Sequence, residues 1–279
     1  METHPTIQSV VKGQSQFRLA IMVLLAGSAW LTPPAHAETT FGDVHALPGK
    51  PLKASNTEEV VGHLVRRNLE RARALEAYEG TRVYRLDYHG FPGSRNAEMT
   101  VDVKYRRPGT KQFTIRSSSG SKLLIEKVFK KLLQSEGEAF DEENQKRTAL
   151  NNENYRFNLL RSEMVSGRWL YALSVEPRIP SKFLYRGKIW VDAQDYAVVR
   201  IEGEPAKNPS FWTKDTRIEQ VYGKVNDFWL PASNRSASTI RLGGHATFSI
   251  DYINYRSIVP ESPPKTADAM AGRGEIRRK

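Results

Sequence analysis

The sequence predicts an α+β fold: a curled antiparallel sheet of about ten strands, an open half-barrel, with two or three helices covering its concave face. Three observations carry that expectation. Apolar and polar residues alternate with period two through most of the chain beyond residue 80. Only two stretches carry apolar residues at helical spacing. Strands do not alternate with helices in the manner that a parallel sheet requires.

The element order follows from local pattern. Asn56-Thr-Glu-Glu59 reads as a capping box, and Val61, Leu64, Val65, Ala72 and Leu75 follow on one stripe, so a helix is expected over 57–79, ended by Gly80. Strands are expected near 81–88 and 97–105. In the second, Met99, Val101, Val103 and Tyr105 face one way, while Glu98, Thr100, Asp102 and Lys104 face the other. Phe113 and Ile115 mark the next strand. A second helix is expected from Ser121 to Gln134, with Leu124, Val128, Leu132 and Leu133 on its stripe; residues 135–150 read as charged loop or frayed helix. Further strands fall near 155–163, 169–175 (Trp169, Tyr171, Leu173, Val175), 183–191 (Phe183, Tyr185, Ile189, Val191), 196–204, 215–225, 228–242 and 248–252 (Phe248, Ile250, Tyr252).

The ends of the chain divide from this body. Lys12 and Arg18 precede an apolar run, Leu19 to Trp30, which closes at Ala35-His36-Ala37. That is the pattern of a secretory signal peptide over 1–37. The run is shorter than the roughly 20 apolar residues of a spanning helix and is stopped by Pro33 and Pro34. Residues 38–55 read as a flexible lead-in, 56–258 as the folded domain and 259–279 as a disordered basic tail. The expected product is a soluble periplasmic protein.

Composition excludes much chemistry. The 279 residues contain no cysteine, which removes disulfides, thiolate metal sites and cysteine nucleophiles. The 42 Lys+Arg against 31 Asp+Glu give a net charge of +11, but the charges are dispersed along strands. With an export address, anionic membrane surfaces or acidic partners are expected, not nucleic acid. His45, His63, His89 and His245 show no ligand spacing, so no metal and no cofactor is expected. Ser119-Gly-Ser-Lys122 matches the S-x-x-K pattern of penicillin-recognising enzymes at the start of a helix. The partner elements are missing, since Lys265-Thr266-Ala267 lies in the tail. A serine-rich turn capping the helix accounts for it better, and no enzyme is expected.

The aromatics say more. The chain has 11 Tyr, 11 Phe and 5 Trp, concentrated in the strands and in Pro209-Ser-Phe-Trp212 and Phe228-Trp-Leu-Pro231. Two helices are too few to cover so many strands, so the sheet must curl on itself or leave apolar surface for something else. Pattern alone leaves a plain core and a greasy cavity equally open. The residues expected on the concave surface under helix 57–79 are Met99, Val101, Val103, Phe113, Ile115, Trp169, Tyr171, Leu173, Phe183 and Tyr185.

Several segments resemble one family. These are the opening helix ending in Leu75-Glu-Ala-Tyr78, the strand Val103-Lys-Tyr-Arg-Arg107-Pro108 with Phe113 after it, the Lys188-Ile-Trp-Val-Asp192 and Val199-Arg-Ile-Glu202 hairpin, and Phe228-Trp-Leu-Pro231. Together with the export signal they resemble the LolA/LolB-like lipoprotein-sorting proteins and their RseB-type relatives. The resemblance implies a half-barrel around a lipid-binding cavity, with Arg107 as the latch that holds the helical lid closed. It implies a periplasmic carrier or chaperone for a lipoprotein's or phospholipid's acyl chains, acting in outer-membrane lipoprotein sorting, with an inner- or outer-membrane protein as possible partner. An RseB-like envelope-stress sensor that binds a membrane regulator is the alternative, and an S-x-x-K hydrolase the third. One departure stands out: the 121–150 helical segment replaces the short Asp-Gly-Lys hairpin of the carriers.

Overall fold

The computed structural model describes residues 6–7, 56–107, 110–138, 146–208, 213–241 and 243–258. All of the leader but Thr6 and Ile7, the lead-in, Pro108, the Pro209–Trp212 aromatics, part of the 121–150 segment and the tail lie outside the described residues.

Helix α1 (Thr57–Ala74) starts where the side chain of Asn56 accepts a hydrogen bond from the Glu59 amide at 2.9 Å. Glu58 and Glu59 sit in its first turn and Arg71 and Arg73 in its last, each sign matched to the helix dipole. It ends at Ala74, not near residue 79. Leu75 is extended and closes the last turn through its amide to the Arg71 carbonyl, and strand β2 (Ala77–Gly90) begins almost at once. Tyr78 therefore belongs to a strand. Gly80 does not end the helix; it lies within β2, where a Cβ would come 2.1 Å from the Tyr255 ring, so only glycine lets that aromatic lie flat on the strand.

The remaining strands are β3 (Arg95–Arg106), β4 (Thr110–Gly120), β5 (Tyr155–Val165), β6 (Arg168–Pro177), β7 (Tyr185–Asp192), β8 (Val198–Pro205), β9 (Thr213–Val225), β10 (Phe228–Ile240) and β11 (Gly244–Ile258). A two-residue strand β1 (Thr6–Ile7) pairs with β4. All pairings are antiparallel, in the order β1-β4-β3-β2-β11-β10-β9-β8-β7-β6-β5. β4 and β5 do not meet, so the sheet curls without closing into a barrel.

Between β4 and β5 comes a helical roof. A turn of helix, α2 (Lys122–Leu124), runs through a π-helical turn (Ile125–Phe129) into α3 (Lys130–Glu138). The helix thus extends past Gln134. The wider π turn lets Ile125, Val128 and Phe129 reach the sheet together with Leu132 and Leu133, and all five are buried.

The apolar interior falls into two clusters. In the first, Met99, Val101, Val103, Phe113, Ile250 and Tyr252 pack against the α2–α3 segment. In the second, Val60, Val61 and Leu64 of α1 pack on Tyr155, Tyr171, Leu173, Tyr185, Ile189 and Ile201. The sheet is pinched between β7 and β8, where Gly187 and Gly203 oppose each other. A Cβ on either would lie 2.1 or 2.2 Å from the facing carbonyl oxygen of Glu202 or Arg186.

Candidate functional site

The strand pairings place one row of residues straight across the concave face: Met99, Tyr84, Ile250, Asn234, Gln220, Ile201, Ile189 and Leu173. Each pair is directly opposite in register, so all eight share a face. The row is apolar at both ends and amide in the middle.

The sequence-predicted lining residues divide between its two ends. Met99, Val101, Val103 and Phe113 are buried under α2–α3, with Ile115 half-buried at the margin. Tyr171, Leu173 and Tyr185 are buried under α1, with Trp169 half-buried beside them. The expected single surface under α1 is therefore two surfaces under two roofs. Phe183 is not on the strand. It lies in the turn before β7, its amide bonded to Ser181 Oγ and its half-buried ring beneath Lys182, while Leu184 takes the core position.

The first roof is held by buried charge. Arg82 Nη1 donates to both oxygens of Glu136 in α3, at 2.9 and 2.7 Å, and to Tyr84 Oη; its Nε donates to Tyr255 Oη. Lys111 donates to the same carboxylate. The Arg82 guanidinium also lies 5.0 Å from the Tyr252 ring centre. All three charged side chains are at most 4 % exposed. Burial works to raise the Glu136 pKa, yet Arg82 and then Lys111 outweigh it and hold the carboxyl at about 2. Burial brings Lys111 down to about 8 against the pull of that carboxylate. It also pushes the Tyr84 phenol up to about 12. The sequence carried a faint signal for this cluster: Arg82 falls in phase with Tyr78, Tyr84 and Leu86, on the apolar side of its strand.

The second roof is held at several points. The Leu159 amide of β5 donates to Thr57 Oγ1 at the start of α1, and His63 stacks on Tyr196 with ring centres 4.4 Å apart. Arg71 donates to the carbonyls of Asp195 and Tyr196. Asp195 is itself fixed by Lys224, Trp229 Nε1 and Arg168. At the helix C-terminus, Arg107 Nη1 donates to the Arg73 carbonyl at 2.6 Å, while the Arg107 amide bonds the Glu76 carbonyl. Arg107 so meets one of the carbonyls that the last turn of a helix leaves open.

Between the roofs, Asn234 and Gln220 are 1 % and 3 % exposed. Among the described residues, Asn234 Nδ2, Asn234 Oδ1 and Gln220 Nε2 have no hydrogen-bond partner. Leaving such atoms buried and unpaired costs about 1–3 kcal/mol each. Ser236 and Ser238, half-buried, continue the polar stripe along β10 on the same face, Ser238 bonded to Thr216. Neither the amides nor the triad stood out in the sequence.

Elsewhere the chemistry is sparse. Ser119 and Lys122 are exposed, and Ser121 makes no side-chain cap bond at the helix start. No group of three or more histidines and carboxylates suited to a metal ion occurs among the described residues. The outer face of the sheet carries an open groove of about 930 Å³ over β7–β11. Its rim mixes Lys188, Glu202, Glu219 and Arg235, so no single sign of charge prevails. No helix among the described residues is long and apolar enough to cross a membrane.

Comparison with known proteins places the chain as follows. Residues 97–257 match the family described as "Family of unknown function (DUF5686)". No curated protein matches. Among solved structures, the chain is similar to a DUF1329 family protein from Desulfovibrio piger, at 15 % identity and a TM-score of 0.37, over 76 % of this chain and 95 % of that one. It is similar to a LolA superfamily protein from Nitrosomonas europaea, at 9 % identity and a TM-score of 0.34, over 71 % and 94 %. It is also similar to the MucA/MucB complex of Pseudomonas aeruginosa, at 11 % identity and a TM-score of 0.23, over 72 % and 99 %.

Proposed function

The chain belongs to the DUF5686 family, and from its own geometry we propose that it is an exported, non-enzymatic carrier or chaperone that takes acyl chains of a lipoprotein or phospholipid into the concave face. The observation that carries this reading is an apolar face roofed by two separate helical segments, each tied down by a few polar contacts at identifiable points. A carrier has to offer apolar contact and then give it up. Burying a methylene is worth ~0.8 kcal/mol, so a 16-carbon chain represents ~12 kcal/mol gross. Roofs fastened by hydrogen bonds and ion pairs can open without dismantling the sheet beneath. Arg107, on the carbonyl of Arg73, is the latch of the α1 roof in this scheme. The signal-peptide pattern over 1–37 supports export to the periplasm, and in this reading residues 56–258 act there as one folded domain.

A second reading has an observation of its own. β5 is an edge strand, and Leu160, Met164 and Val165 along it are 41–46 % exposed. Such an edge suits strand addition by a protein partner, as an adaptor for a membrane regulator would use. Native mass spectrometry of the protein purified from the envelope of its host, with extraction of bound lipid, separates the two. Copurifying phospholipid or acylated protein supports the carrier. An empty protein that captures an inner-membrane protein, and loses it when Met164 and Val165 are changed to lysine, replaces the carrier with the adaptor.

A further inference from the structure

We infer that Asn234 and Gln220 form a polar subsite on the concave face that receives the linkage of an amide-linked acyl chain. The inference rests on the carrier reading and names the chemistry of its ligand. The two side chains sit opposite each other on β10 and β9, in register with Ile250 on one side and Ile201 on the other. Ile250 belongs to the cluster under α2–α3 and Ile201 to the cluster under α1. A molecule bound here meets hydrocarbon in both directions and amide in the middle.

The unpaired atoms specify the group. Asn234 offers a free donor and a free acceptor, and Gln220 a further donor, among the described residues. Because both Asn234 atoms are unpaired, exchanging its oxygen and nitrogen leaves the inventory unchanged. The complement is a neutral group that carries both an acceptor and a donor, and within an acyl-chain ligand a secondary amide supplies both. An ester has the acceptor alone and leaves Asn234 Oδ1 unpaired. A phosphate or carboxylate would meet that same oxygen with like polarity, and neither amide supplies the counter-charge. Ser236 and Ser238 run on from Asn234 along β10 and are half-buried, which gives a polar headgroup a path outward. The charged residues around the first cluster do not compete for the role, since Arg82, Lys111 and Glu136 are engaged with one another.

The test uses the full chain and two probes that differ by N–H against O, N-methyldodecanamide and methyl dodecanoate, each displacing an environment-sensitive apolar dye. The native protein is expected to bind the amide about tenfold more tightly than the ester, as a buried acceptor left unpaired by the ester implies. Asn234→Leu should bring the two affinities together, and Gln220→Leu should narrow the gap. Asn234→Leu replaces an unpaired amide in apolar surroundings, so its thermal midpoint should not fall; the comparison on the native chain needs no variant at all. Equal affinities in the native protein, or a preference that survives both substitutions, would overturn the subsite while the carrier reading stands on the ester binding. Failure of both probes to displace the dye would overturn both. N-dodecanoyl-glycylglycine and N-dodecanoyl-glucosamine separate a peptide source of the amide from a sugar source; tighter binding of either than of methyl dodecanoate supports the subsite, and binding of neither counts against it.

Discussion

Replacing Glu136 with glutamine should loosen the first roof more than any other single polar change. In the native protein this carboxylate neutralises Arg82 and contacts Lys111, with the side chains at most 4 % exposed. Glutamine fits the space but leaves two cations buried with no anion between them. Breaking a buried pair by removing one partner costs about 3–5 kcal/mol. At about 2–4 °C per kcal/mol for a domain of this size, the thermal midpoint at pH 7 should drop by roughly 6–20 °C. Where α2–α3 undocks locally before the sheet melts, the loss appears first as faster amide exchange in Lys130–Gln134. The pH dependence supplies a second readout. Glu136 has its pKa lowered from 4.5 to about 2 in the folded state, so it contributes stability that is fully present above pH 4.5 and is lost as pH falls from there to about 2. Glu136→Gln should flatten that part of the acid denaturation curve. The replacement of all three side chains, Arg82→Met, Lys111→Met and Glu136→Leu, should recover most of the loss, because apolar groups of similar volume stand in well for a buried ion cluster. A midpoint within about 2 °C of native, with unchanged exchange in α3, would refute the idea that this triad fastens the roof.

Four other substitutions have outcomes set by their surroundings. Arg107→Leu removes the bond to the Arg73 carbonyl, should cost about 1 kcal/mol in urea unfolding, and should speed exchange of a bound fluorescent fatty acid; unchanged exchange returns Arg107 to an ordinary strand-end residue. Asn56→Ala removes the cap of α1 and should cost about 1 kcal/mol, read as a lower urea midpoint with the slope unchanged. Gly203→Ala drives a methyl to 2.2 Å from the Arg186 carbonyl oxygen and should cost about 3 kcal/mol, whereas alanine at Gly62, with nothing within 4 Å, should be neutral or stabilising.

Most strands were legible because one face of the sheet is wet, so burial imprinted period two on the sequence. β3 shows it: Met99, Val101 and Val103 are buried and Glu98 and Lys104 exposed. The end of α1 departs from the sequence expectation for a specific reason. Leu75 and Tyr78 continue the helical spacing, but Tyr78 reaches the core from β2, stacked on Tyr105; two periodicities coincide over those few residues. The α2–α3 roof is visible as a stripe through Leu132 and Leu133, yet Glu136 reads as the start of a charged loop. Its partners, Arg82 and Lys111, lie far away in the sequence, and only the folded sheet brings them together. Asn234 was hidden by its setting, the polar run Ser-Asn-Arg-Ser in β10, where nothing local distinguishes an inward amide from an outward one. Phe183 was misplaced because Leu184 and Tyr185 both take core positions at the turn into β7.

The pairing of β11 with β2 has a consequence in time. β2 can form a hairpin with β3 as soon as both exist, but its other edge waits for Gly244–Ile258. The same strand completes the edge of β10. Closing so distant a pair carries a loop-closure cost that the hairpins between neighbouring strands do not. Release short of Gly244 would strand β2 and β10 with bare edges facing solvent, the arrangement from which strands of different molecules join.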